Sequence, residues 1–120
     1  MYHNIKTGKK GEKTAVNYLI NKGYKILETN WHHHHKEIDI IANDGNTLVI
    51  VEVKTRKNSY FGYPEQAVNK KKQQFLIEAA NAYIFKNDIK SEVRFDVIAI
   101  IYEKGSQELL HIKDAFIPGL

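Results

Sequence analysis

Thr47-Leu48-Val49-Ile50-Val51-Glu52-Val53-Lys54 is the stretch on which the fold turns. Its β-branched residues favour an extended chain. Side chains alternate faces along a strand. Val49, Val51 and Val53 therefore share one face, and Ile50, Glu52 and Lys54 share the other. Both faces are apolar in the middle of the run, as expected of a strand covered on both sides. A carboxylate and an ammonium in such a strand are costly unless each has a partner. An ion pair within the strand is one way to meet that cost. A functional site is the other.

Upstream, Asn43-Asp44-Gly45-Asn46 separates this run from Glu37-Ile38-Asp39-Ile40-Ile41-Ala42. Asp-Gly between two apolar runs signals a hairpin, because Gly accepts the positive φ of the turn. Alternation in the first arm predicts Glu37, Asp39 and Ile41 on one face, opposite Ile38, Ile40 and Ala42. Pairing of the arms brings Asp39 and Glu52 near enough to share a hard divalent cation. Two carboxylates held together favour a bound cation or a raised pKa. Oxygen ligands suit Mg²⁺, which keeps several waters and completes its shell from phosphate. Lys54 then lies where it can handle the attacking water or the charge growing on phosphorus. Asp, a hairpin, then Glu-x-Lys is a coherent set for metal-assisted phosphodiester hydrolysis.

Further out, Ala15, Val16, Leu19 and Ile20 recur at helical spacing, predicting a helix over residues 7–22 that stops at Gly23. Glu12 falls on its core-facing stripe, one turn before the apolar part. Residues 24–31 read as a strand, with Tyr24, Ile26 and Glu28 on one side and Leu27 on the other. Residues 58–63 read as a loop. Asn69 is the expected N-cap of a helix over residues 70–86, with Phe75, Leu76, Ala79, Ala80, Tyr83 and Ile84 as its stripe. Residues 93–102 are apolar apart from Arg94 and Asp96, and residues 109–112 form a last short strand. Asp96 is either a further site residue or, as the favoured reading, a group that pairs with Arg94 or Arg56 or caps a turn. The order α-β-β-β-α-β-β gives an α/β class, with a central mixed sheet of about five strands flanked by helices. One domain is expected over residues 1–120.

A chain of 120 residues, 42% hydrophobic and 27% charged, can bury one core. Without cysteine, disulfides and thiolate metal sites are excluded. No apolar run approaches the roughly 18 residues that cross a bilayer, and the first residues lack a signal-peptide core. The expectation is a cytoplasmic protein with no membrane partner. The net charge of +4 is mild, so its distribution matters more. Lys9 and Lys10, Arg56 and Lys57, and Lys70, Lys71 and Lys72 are candidate nucleic-acid contacts. The last three oppose a helix dipole, a small cost that makes sense if a polyanion lies across them. His32-His33-His34-His35 suggests a transition-metal site or, as the favoured reading, a solvated loop that touches phosphate.

These residues resemble a known family. Gly8-x-x-Gly11-Glu12-x-x-Ala15, Gly23-Tyr24, Asn30-Trp31, Glu37-Ile38-Asp39-Ile40-Ile41-Ala42, Val51-Glu52-Val53-Lys54-Thr55-Arg56, Phe61-Gly62-x-Pro64 and Arg94-Phe95-Asp96-Val97-Ile98 are similar to the YraN-type family of predicted bacterial endonucleases. That family lies within the PD-(D/E)xK restriction-endonuclease-like superfamily, similar to archaeal Holliday-junction resolvases. The resemblance implies a restriction-endonuclease-like fold and an Mg²⁺- or Mn²⁺-dependent endonuclease acting on structured or branched nucleic acid, DNA in the first instance. Asp39 and Glu52 would be metal ligands, with the Val53 carbonyl as a third. Lys54 would be the catalytic lysine and Glu12 the helix carboxylate that completes the set. A homodimer is implied, because such resolvases act as symmetric pairs. The alternative is a non-catalytic nucleic-acid-binding module that keeps the fold. Two positions depart from the pattern: Lys36 stands where the family has Gly, and Ile38 where the superfamily has Pro.

Overall fold

The computed structural model describes residues 2–56 and 68–119, with side chains from Lys9 onward. Its elements are α1 (Tyr2–Asn21), β1 (Lys25–His33), β2 (Lys36–Asp44), β3 (Thr47–Arg56), α2 (Lys70–Lys86), β4 (Glu92–Glu103) and β5 (Ser106–Ile112). This is the expected order. The five strands form one sheet in the order β1-β2-β3-β4-β5. β3 and β4 run parallel and every other pair is antiparallel. A parallel pair needs a long crossover, and α2 lies within it. Lys57, the expected loop at 58–63 and the Phe61-Gly62-x-Pro64 match lie outside the described residues.

Two apolar layers hold the helices to the sheet. Ala15 and Leu19 of α1 pack with Ile40, Ala42, Val49, Val51, Ile98 and Ile100. Leu76, Ala79, Ala80 and Tyr83 of α2 pack with Ile38, Ile41, Leu48, Ile50 and Val97. β3 thus alternates as its sequence requires, with Val49 and Val51 toward α1 and Ile50 toward α2. Burying each such side chain contributes about 1.5–3 kcal/mol.

Local signals set the ends. The Lys72 amide donates to Asn69 Oδ1 at 2.8 Å, so Asn69 caps α2 as expected. Gly45 opens the β2–β3 turn with a φ of 60°. α1 begins at Tyr2, earlier than its apolar stripe indicates. Gly11 is the close approach that lets α1 lie on β3, since a Cβ there would collide with Thr55 Oγ1.

Two expectations are corrected. Ile38 does not share a face with Ile40 and Ala42, but joins Ile41 on the α2 side. The reversal falls at Asp39. Opposite it in β1, Asn30 takes a left-handed φ of 49°, a conformation that Asn tolerates better than most residues. The β2–β3 ladder is registered from Asp44↔Thr47 to Ile40↔Val51. Beyond it, the Asp39 carboxylate reaches across and accepts the Val53 amide at 2.8 Å. A side chain there replaces a ladder carbonyl, and the strands part. The second correction concerns Glu28. A register shift between Ile26 and Glu28 puts Leu27 against the α2-side layer and Glu28 within 3.5 Å of the Tyr83 hydroxyl, rather than beside Ile26.

Candidate active site

The parting of β2 from β3 opens the place where the acidic residues meet. Glu52 is buried in β3, pointing toward α2. Its Oε2 lies 3.3 Å from Lys54 Nζ and 3.4 Å from Lys72 Nζ. Its Oε1 is buried and has no hydrogen-bond partner among the described residues. An unsatisfied buried carboxylate oxygen is costly.

Asp39 stands beside it. Burial, then the charge of Glu52, pushes the Asp39 carboxyl up to about 8. The Val53 amide works in the opposite direction, and Glu12 adds further repulsion. Asp39 and Glu52 are near enough to hydrogen-bond when one carries the proton. Glu12 reaches the cluster from α1, its Oε1 accepting from Asn30 Nδ2 at 2.8 Å. The same amide group donates to Glu37 Oε2 at 3.1 Å. Asn30 therefore clamps Glu12 to the β1–β2 hairpin, and its left-handed backbone lies opposite Asp39.

Asp39, Glu52, Lys54 and Glu12 are thus brought together from β2, β3 and α1. Val53 belongs to the same place through its amide. Two site members escaped the sequence reading. Lys72 was expected only among the nucleic-acid contacts, yet its ammonium turns inward to Glu52. The signal was topological: a crossover leaving the carboxyl end of β3 brings the start of α2 back near that end. Asn30 carried only a family match. Its signal was a polar residue, tolerant of positive φ, in the strand beside Asp39.

Asp39 and Glu52 suit a hard cation. They are oxygen donors, mutually repelling, with one oxygen unpartnered among the described residues. Among the described residues, no three His, Asp or Glu side chains form a ready-made cage. Mg²⁺ does not need one, since one or two carboxylates, waters and substrate phosphate suffice.

The basic candidates divide between the faces. Lys9 and Lys10 are exposed on α1, with the Lys10 ammonium 5.1 Å from the Tyr102 ring. Lys9 lines a groove of about 330 Å³ with Glu12 and Asn30. Lys70 and Lys71 are exposed at the start of α2. Arg56 donates to the Thr55 carbonyl at 3.1 Å.

Asp96 belongs to a separate network. Arg94 donates to its two oxygens at 2.9 and 3.0 Å, His111 Nε2 lies at 2.7 Å, and the Asp114 amide donates at 3.2 Å. Arg94 also reaches Asp44 at 3.1 Å and the Tyr24 hydroxyl at 2.8 Å. Burial opposes the charged form of Asp96, but the bonds from His111 and Arg94 outweigh it and hold its carboxyl below the ordinary range. Of the partners the sequence offered, Arg94 rather than Arg56 is the one that pairs with Asp96.

Sequence comparison places the chain among known relatives. A UPF0102 protein of Thermodesulfovibrio yellowstonii is 51% identical over 112 residues, covering 93% of this chain and 96% of the relative. A UPF0102 protein of Flavobacterium psychrophilum is 50% identical over 109 residues, covering 91% and 92%. One from Phocaeicola vulgatus is 47% identical over 113 residues, covering 94% and 93%. The model of the uncharacterised protein family UPF0102 matches residues 11–100, a stretch that contains Glu12, Asn30, Asp39, Glu52, Lys54 and Lys72, and the chain belongs to that family.

Proposed function

We propose that this chain is a metal-dependent endonuclease of the restriction-endonuclease-like, PD-(D/E)xK type, hydrolysing phosphodiester bonds in structured or branched DNA. One observation carries the reading: Glu52 is buried, its Oε1 without a hydrogen-bond partner among the described residues, beside an Asp39 whose carboxyl is pushed up to about 8. Asp39, Glu52 and the Val53 carbonyl would hold Mg²⁺ or Mn²⁺. The bound ion would supply Lewis-acid stabilisation of phosphoryl oxygens and a more acidic water. The chain's own groups do the rest. Lys54 and Lys72 present ammonium donors beside Glu52, where phosphoryl charge would grow. Glu12, held by Asn30, would support the metal shell from the α1 side of the cluster. Asp39 must give up its proton for a cation to bind, so metal affinity should rise with pH up to about 8. As in resolvases of this kind, two copies would act as a symmetric pair, which light scattering would test.

The test is a cleavage screen with Mg²⁺ and Mn²⁺ over branched, duplex and single-stranded substrates. Lys54→Ala should cut about 10²-fold more slowly or worse, and Asp39→Ala should lose metal binding by calorimetry while staying folded. An intact protein that binds neither ion would end this reading. One observation favours a second, the non-catalytic nucleic-acid-binding module: Lys54 and Lys72 already neutralise one oxygen of Glu52. Under that reading, Glu52→Gln leaves DNA affinity unchanged and no substrate is cut.

A further inference from the structure

The histidine run is not part of the cluster just described, yet each of its rings has a defined neighbour. β1 ends at His33 and β2 begins at Lys36, so His34 and His35 make the turn. Trp31 is anchored at the base of the hairpin, its ring edge-on to Tyr83 with centroids 5.1 Å apart. The His33 ring lies parallel to Trp31 within 6°, at 6.4 Å. His34 follows at 4.4 Å from His33. Across the turn, His35 stands edge-on to Phe75 of α2 at 5.7 Å. The Phe75 ring carries two ammonium groups near its centre, Lys36 at 5.4 Å and Lys71 at 5.9 Å. The acidic neighbours are Glu78, 3.3 Å from Lys36, and Glu37, 3.7 Å from His32.

Flat rings interleaved with cations are the chemistry that receives nucleobases and their phosphates. A duplex hides its base faces inside its own stack, so only unpaired nucleotides can use such a row. An acidic peptide would use the lysines and leave the rings idle. A contact limited to phosphate, the reading expected from sequence, would not need a ring parallel to Trp31. On the opposite face of β1, His32 lies between the row's Trp31 and His33 and leads to Glu37, Glu37 to Asn30, and Asn30 to Glu12. On the other side, Lys71 precedes Lys72, which touches Glu52.

We propose that the tip of the β1–β2 hairpin, with Trp31, His33, His34, His35 and Phe75, is a stacking platform for unpaired nucleotides next to the bond presented to Glu52. The position relative to the bond rests on the proposed endonuclease function. The binding chemistry does not. Trp31 is the single tryptophan of the chain and sits in the row, so its fluorescence reports occupancy directly.

The experiment titrates the full chain, in EDTA, with a short single-stranded oligonucleotide and with a blunt duplex of the same length. The single strand should quench Trp31 and bind about tenfold more tightly than the duplex. The double variant His33→Ala/His34→Ala should lose that tenfold and keep the duplex affinity. His33→Tyr in the presence of His34 should retain it, which separates ring stacking from charge. Equal affinity for the two ligands, equal loss of both in the double variant, or a response that appears only with added Zn²⁺ or Ni²⁺ would overturn the platform. Tight quenching with no cleavage in Mg²⁺ or Mn²⁺ would remove the endonuclease and leave the platform standing. Cleavage indifferent to strand pairing and to the double variant would do the reverse.

Discussion

Glu52 and Asp96 occupy neighbouring strands and are both buried, but their surroundings differ in kind. Asp96 points to the α1 side of the sheet, where Arg94, His111 and a backbone amide meet both of its oxygens. Glu52 points to the α2 side, where two lysines share one oxygen and, among the described residues, the other has no partner apart from the proton it can share with Asp39. A satisfied buried carboxylate is a fastening. An unsatisfied one beside a second carboxylate carries an electrostatic cost that a bound cation would relieve. The difference teaches that burial of a charge does not by itself mark function; the deficit of partners is what the proposed site at Glu52 rests on.

The largest test of that contrast is stability. Asp96→Ala leaves Arg94 and His111 buried without their acceptor, and should cost about 3–5 kcal/mol in urea denaturation. Glu52→Gln should cost less than about 1 kcal/mol, because it removes charge repulsion as well as ion pairs. Equal losses would erase the distinction drawn here. Next comes Gly11→Ala, which drives a methyl into Thr55 Oγ1. It should cost about 1–3 kcal/mol as overpacking, and should weaken Mg²⁺ binding by displacing the adjacent Glu12. Undiminished stability would show that α1 can shift freely on β3.

Smaller effects follow from pH, with opposite signs. Asp96 is held below its ordinary range, so its contribution is complete above the unfolded value and is lost as pH falls through the folded one. Asp39 is raised, so between about 4 and about 8 the folded state binds a proton that the unfolded chain has released. Stability should therefore fall as pH rises through that window in EDTA. Asp39→Asn should flatten the decline, and Asp96→Asn should not. Thermal melts across the range check both. The smallest expected change is in salt response: Lys70→Ala or Lys71→Ala should each lower the slope of DNA affinity against salt by about one unit.

The readable part of the chain was the part decided locally. The β-branched run of β3 fixed which side Glu52 faces, and Asn69 fixed the start of α2, because alternation and capping depend on neighbours in sequence. The gathering of Asp39 with Glu52 was legible too, since a hairpin with a two-residue turn leaves little choice of register. The reversal at Asp39 was not. It depends on a left-handed Asn30 in the adjoining strand, and nothing within 37–42 reports that. Lys72 was read as an outward charge for a similar reason. Three consecutive lysines look alike in one dimension, and only the docking of α2 turns one of them toward Glu52.

Because the Val53 amide is held by the Asp39 carboxylate rather than by a strand carbonyl, its hydrogen exchange is tied to the chemistry of the cluster. An ion that draws Asp39 away, or a proton that weakens it as an acceptor, would alter the exchange rate of that one backbone position. The parted seam is thus a built-in gauge: magnetic resonance can read whether the acidic pocket is engaged without any substrate present.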